Sequence, residues 1–258
     1  MKQFQQISKI FSQTIGRAAR PLRMLASMAC VALAVAGAPA WAADVKLASA
    51  NISGAADAAT SGLRDSHQLV ENFTTDLISL IEKAQSYVDK DEPRFYDELG
   101  VLLQRYVDFD SFSRAVMGKY ASSKRLQSLP AEDRAKLETQ MQRFNEVFTG
   151  ALIGTYGKGL LVFEGERIEV LAPNPEAGKH AAAGKARIKQ LIHGDRPEPY
   201  VIYYSLRRGE DQQWRIRNMI IESSNLGKIY RNQFDNAYKV YEGDIDRVIK
   251  NWVAGAES

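Results

Sequence analysis

The chain has 258 residues, with 34 Lys and Arg against 31 Asp and Glu and a single cysteine. Five of the basic residues and none of the acidic ones fall in the first 42 positions, so the remainder is slightly acidic, at 29 against 31. That balance excludes a protein that tracks nucleic-acid phosphates, and one cysteine excludes a disulfide framework or a thiolate metal site within the chain.

The basic start (Lys2, Lys9, Arg17, Arg20, Arg23) runs into an apolar stretch, Met24 to Ala38, and closes on Ala40-Trp41-Ala42. Basic start, short apolar middle and A-x-A end are the marks of a secretory leader, so 1–42 is expected to be a cleaved signal peptide. The apolar stretch is shorter than the ~20 residues that span a bilayer. A lipoprotein would need a Leu-like residue three positions before Cys30, where Ser27 stands. Cys30 would leave with the leader. Residues 43–66 are rich in Ala, Ser and Gly with little periodicity and are expected to be a flexible lead-in. The remaining 67–256 suffices for one domain.

From His67 the spacing predicts an amphipathic helix carrying Leu69, Phe73, Leu77, Leu80, Ile81, Ala84 and Val88. After Pro93 a second helix carries Phe95, Leu99, Leu102, Leu103 and Tyr106, and a short third holds Phe109, Phe112, Val116 and Tyr120. Ser128-Leu-Pro-Ala-Glu-Asp is a helix start, with a capping hydroxyl, an early proline and acids in the first turn. The long helix it opens presents Leu137, Met141, Phe144, Val147, Phe148, Leu152 and Tyr156, and should fray at Gly157 and Gly159.

Beyond Gly165 the period becomes two. Strands are expected at 167–171, 186–192, 200–206 and 214–221, followed by helices near 225–241 and 243–254. Strands joined by short polar connections pair antiparallel as a meander. The predicted fold class is therefore α+β, a curved antiparallel sheet of four to five strands with helices packed on one face.

Catalytic and metal signatures are sparse. His67, His180 and His193 share no metal-ligand spacing, and neither H-E-x-x-H nor G-x-S-x-G occurs. His193 beside Asp195 and the acidic run at Asp89, Asp91 and Glu92 read as solvated loops. Gly154, Gly157 and Gly159 around Lys158 lack the spacing of a phosphate loop. What stands out is aromatic and apolar: a core between helices and sheet, or the wall of an apolar cavity they enclose.

Three segments are more specific. They are Val107 to Tyr120, ending Gly-Lys-Tyr; the helix from Pro130 through Phe144 to Tyr156; and Trp214 to Phe234, containing Tyr-Arg-Asn-Gln-Phe, with Gly243-Asp-Ile-Asp behind it. Together they resemble the MlaC family, also called the toluene-tolerance family, over nearly all of 67–254. The sequence departs from the family pattern at Ala121, in the link Ser122–Leu129, at Asn218 and at Ser223. The resemblance implies a non-enzymatic periplasmic phospholipid carrier with its lipid as cargo, no cofactor and no metal. It implies as partners an outer-membrane lipoprotein complex and an inner-membrane complex feeding an ABC transporter, in a system that maintains outer-membrane lipid asymmetry. For a cavity holding acyl chains, the expected lining is Phe112, Val116, Tyr120, Phe148, Tyr156, Tyr204 and Ile220. Strand parity puts Ile202, Tyr204 and Leu206 on one face of their strand, and Trp214, Ile216 and Ile220 together on the next. Arg231 is expected either to brace the C-terminal helix against the sheet, the reading favoured here, or to face a partner. Two other readings fit such a body: a periplasmic chaperone or adaptor for protein clients, and an enzyme on a cone-shaped α+β fold using Asp108, Asp110 or Glu222.

Overall fold

The structure, a computed structural model, describes residues 49–161, 167–194 and 196–252. The expected leader 1–42, with Cys30, lies outside the described residues, as does Asp195.

Helix α1 (Ser49–Ala84) begins well inside the stretch expected as a flexible lead-in. Leu63 and Ser66 are buried there. The reason is close packing, which apolar periodicity does not report. A Cβ on Gly62 would lie 3.2 Å from the Ala181 carbonyl oxygen, and one on Gly178 would lie 3.3 Å from Ala59 Cβ. Small residues at Ala59 and Gly62 let α1 sit directly on the short helix at Gly178–Ala182, so this part of the stretch that resembled a linker is a packing surface.

α2 (Glu92–Tyr106) is capped by Asp91, and α3 (Phe109–Met117) by Asp108, whose carboxylate accepts the Ser111 N–H. A 3₁₀ turn, Gly118–Ala121, and α4 (Ser123–Ser128) follow; the linking segment that departs from the family pattern is thus a single helical turn and a half. α5 (Ala131–Leu161) does not fray at its glycines. Gly157 is where α2 crosses it, because a Cβ there would meet the Tyr96 ring at 2.8 Å.

The sheet is a five-stranded antiparallel meander in the order β1 (Ile168–Val170), β2 (Lys185–Ile192), β3 (Tyr200–Arg208), β4 (Trp214–Ile221) and β5 (Ser224–Asn225). Between β1 and β2 lie a 3₁₀ turn, Pro175–Ala177, and α6 (Gly178–Ala182). The chain closes with α7 (Leu226–Val240) and α8 (Ile245–Lys250), capped by Asn225 and Asp244.

One irregularity changes the strand reading. The β3–β4 register shifts between Ser205 and Leu206, so that Leu206 faces Ile216 while Ser205 faces Asn218, leaving Arg217 as the extra residue. Side-chain parity therefore flips along β4. Trp214 and Ile216 point inward at one end, and at the other end the inward pair is Met219 and Ile221, not Ile220.

Two apolar clusters result. One lies among α3, α5, α7 and α8, built around Phe112, Phe144, Phe148, Tyr230, Phe234 and Trp252. The other joins α1 and α2 to the sheet through Phe73, Phe95, Leu99, Ile188, Tyr204 and Ile216.

Candidate functional site

Between these clusters the packing leaves a cavity of about 140 Å³. α1 contributes Phe73, Thr74, Leu77, Ile78 and Ile81; α2 contributes Leu99 and Leu103; α3 contributes Phe109 and Phe112. α5 adds Leu152, Ile153, Tyr156, Gly157 and Leu160, and the sheet adds Ile192, Ile202, Tyr204, Met219 and Ile221, among others. None of the lining residues carries a carboxylate, ammonium, guanidinium or imidazole. Such a wall offers apolar contact and no general acid or base in the neutral range.

Three of its polar side chains are linked in one hydrogen-bonded bar. The Tyr204 hydroxyl donates to Gln190 Oε1 at 2.8 Å, and Gln190 Nε2 donates to Thr74 Oγ1 at 2.6 Å. Thr74 Oγ1 in turn donates to the Val70 carbonyl at 2.8 Å. Burial pushes the Tyr204 phenol well up, so it stays protonated and keeps donating. Below this bar the core is solid, with Val70, Ile188 and Leu206 buried. The trio forms the floor of the cavity.

At the other end the lining residues Ile78, Leu160, Ile168 and Ile192 are only half buried, where α1 and the end of α5 face the β1–β2 edge. This is the mouth. Gln85 Nε2, donating to the Leu161 carbonyl at 3.0 Å, ties α1 to the end of α5 beside it. On the far wall the Tyr230 hydroxyl donates to that of Tyr156 at 3.4 Å, and burial raises both phenols.

Of the seven residues expected to line a cavity, Phe112, Tyr156 and Tyr204 do so. Val116 and Phe148 are fully buried in the helical cluster, with Phe148 edge-on to Phe112 at 5.2 Å. Tyr120 lies in the same cluster, stacked on Tyr238 at 3.8 Å, with its hydroxyl on Asp235 at 2.6 Å. Ile220 faces outward opposite Tyr203, because of the bulge at Arg217. Sequence reasoning missed the contributions of α1 and α2. A signal was present: the adjacent apolar pairs Leu77-Ile78, Leu102-Leu103 and Leu152-Ile153 make stripes wider than one packing face needs, and the second member of each pair lines the cavity.

The carboxylates considered for acid–base work are structural. Asp108 caps α3 and pairs with Arg217 at 2.9 Å; Asp110 accepts from Asn145 Nδ2 at 2.6 Å; Glu222 accepts from Arg196 and from the Val201 N–H. Arg231 does brace the C-terminal part of the chain, but against α3: its Nε donates to the Ala115 carbonyl at 2.8 Å. Among the described residues no group of three or more His, Cys, Asp or Glu could hold a metal ion, and no helix is long and apolar enough to cross a membrane.

Residues 71–254 match the family model described as MlaC protein. The toluene tolerance protein Ttg2D of Pseudomonas putida is 30% identical over 189 residues, covering 72% of this chain and 79% of that protein. Among solved structures, the phospholipid-binding protein from Ralstonia solanacearum, in complex with a phospholipid, superposes with a TM-score of 0.50 at 15% identity. The match covers 74% of this chain and 96% of that one, a likeness of fold.

Proposed function

The chain belongs to the MlaC family, and from that premise we propose that it binds a glycerophospholipid by its acyl chains and carries it through the periplasm between outer and inner membrane. The apolar cavity is the observation that carries this reading. A free two-tailed lipid exposes roughly 30 methylenes at about 0.8 kcal/mol each, on the order of 20–25 kcal/mol in all. A soluble carrier must offset that cost with apolar wall, and this wall has no charge to desolvate. The headgroup stays at the mouth in solvent, so headgroup selectivity is weak and no phosphate-binding loop is required.

Size sets a condition on loading. An engineered protein cavity of about 150 Å³ takes a benzene, and the closed cavity here is of that size. Two acyl tails need several times more, so the sheet must part from the helices that face it as lipid enters. The outer-membrane lipoprotein complex and the inner-membrane transporter are the partners in this reading, which assigns the protein no catalysis.

The test is extraction of the purified protein with organic solvent followed by mass spectrometry, together with uptake of labelled phospholipid from vesicles. Stoichiometric phospholipid is expected. A protein that neither co-purifies with phospholipid nor acquires it from vesicles is not a carrier.

A further inference from the structure

The inward side chains of the sheet build the cavity and core; the alternate ones form an outer face, open to solvent at Lys185, Arg187 and Arg207. Lys185 stands opposite Arg207 on β3, and Arg207 opposite Arg215 on β4, which makes a row of three cations across three strands. Arg187 and Lys189 extend the lattice along β2. Like charges directly opposite one another destabilise a sheet. Arg215 is relieved by Asp211 at 2.6 Å. Among the described residues Lys185, Arg187, Lys189 and Arg207 meet no carboxylate within ion-pair distance; Arg187 and Lys189 lie over the Tyr203 ring at 4.2 and 6.0 Å. The fold gains nothing from this repulsion.

Along the strands toward the mouth the same face turns mostly apolar, the exception being the exposed Glu169 on β1 opposite Leu191, which is paired with Arg167 at 3.4 Å. Leu191 pairs with Val201, and Ile220 with Tyr203. Each apolar residue of this strip is one step along its strand from a cavity residue: Ile192, Ile202 and Ile221. The apolar strip lies on the outer face at the strand ends nearest the mouth, with the cavity behind it on the inner face of the same strands.

We propose that the outer sheet face is a membrane-docking surface for bilayers containing anionic phospholipid. The cations lie over the headgroups, the Tyr203 strip sits at the headgroup boundary, and the mouth comes to rest beside the lipid. The inference rests on the reading of the cavity as a lipid site. A bilayer fits better than an acidic protein because none of the four free cations borders the apolar cavity or the polar hollow around Arg114 and Arg231. Protein partners anchor in pockets, whereas a plane of headgroups needs none. The hold is electrostatic and therefore reversible, as a shuttle requires.

The experiment is co-sedimentation of the protein with phosphatidylcholine vesicles, with and without phosphatidylglycerol, at low and high salt. Wild type should bind only the phosphatidylglycerol vesicles and be released by salt. Each cation removed (Lys185→Gln, Arg187→Gln, Arg207→Gln) should weaken binding by roughly fivefold, with unchanged circular dichroism. Equal binding to neutral vesicles, no binding at all, or full binding by the triple variant would overturn the proposal. So would loss of lipid delivery in the triple variant when wild type ignores vesicles, an outcome that assigns the face to an acidic protein. Lipid content, measured separately by mass spectrometry, reports on the carrier reading alone.

Discussion

Gln190 is 3% exposed in the middle of a strand whose other inward positions are Ala186, Ile188 and Ile192. An amide is tolerated there because Tyr204 and Thr74 satisfy it from opposite sides. Gln190→Leu strands the Tyr204 hydroxyl without an acceptor and should cost about 1–3 kcal/mol in urea unfolding. Adding Tyr204→Phe removes the stranded group, so the double variant should be more stable than Gln190→Leu alone; a further loss would break the assignment of the bar. The cavity wall and the neighbouring core separate in the same way. Met219→Asp places a charge on the half-buried cavity wall and should reduce co-purifying phospholipid at least tenfold while the fold survives. Phe148→Ala, in the solid helical cluster, should instead cost about 3–5 kcal/mol of stability, with lipid per folded molecule unchanged.

α3 is held at its start by one carboxylate with two duties. Asp108 caps the helix through Ser111 and pairs with Arg217, the bulged residue of β4. Burial pushes the Asp108 carboxyl up, but the Ser111 hydrogen bond and the Arg217 guanidinium outweigh it, so the net shift is downward. A carboxyl that titrates lower in the folded chain than in the unfolded one, where it titrates near ~3.9, stabilises fully above that pH. The contribution is lost as the pH falls through the lower folded value. Asp108→Asn keeps the cap and loses the ion pair, so its unfolding free energy should fall less steeply than wild type below about pH 4. Parallel acid-unfolding curves for the two proteins would remove Asp108 from this role. At the α2–α5 crossing, Gly157→Val forces the Tyr96 ring aside and should lower the thermal midpoint. Tyr96→Ala in the same chain should restore part of it by making room.

The closed molecule holds far less free volume than its proposed cargo, so loading must be coupled to opening. The half-buried lining at the gap between the α1–α5 pair and the β1–β2 edge is where that opening would begin. Lipid that binds only the folded chain stabilises it by mass action, about 2.7 kcal/mol at a hundredfold excess over the dissociation constant. Delipidated protein should therefore unfold at a lower temperature than loaded protein in calorimetry, and added phospholipid should restore the midpoint. Identical midpoints would mean that the lipid is not held in the interior.

Local pattern was sufficient wherever one element buries one face. The periods of 3.6 and 2 and the short polar connections between strands are written in neighbouring residues, so most of the helices, the antiparallel meander and the α+β class were legible from them. The family was legible too, because its segments are runs of contiguous residues. Three things depended on distant partners. Whether α1 begins before His67 turns on Gly62 meeting Ala181, more than a hundred positions away. Which of Met219, Ile220 and Ile221 face inward turns on a bulge that Arg217 makes against β3. Whether an aromatic such as Phe112 or Phe148 borders empty space or a neighbouring ring turns on how closely the surrounding helices pack; both residues are buried on the inward side of their helix. A cavity is a deficit of contacts among elements far apart in sequence, and no single element records it.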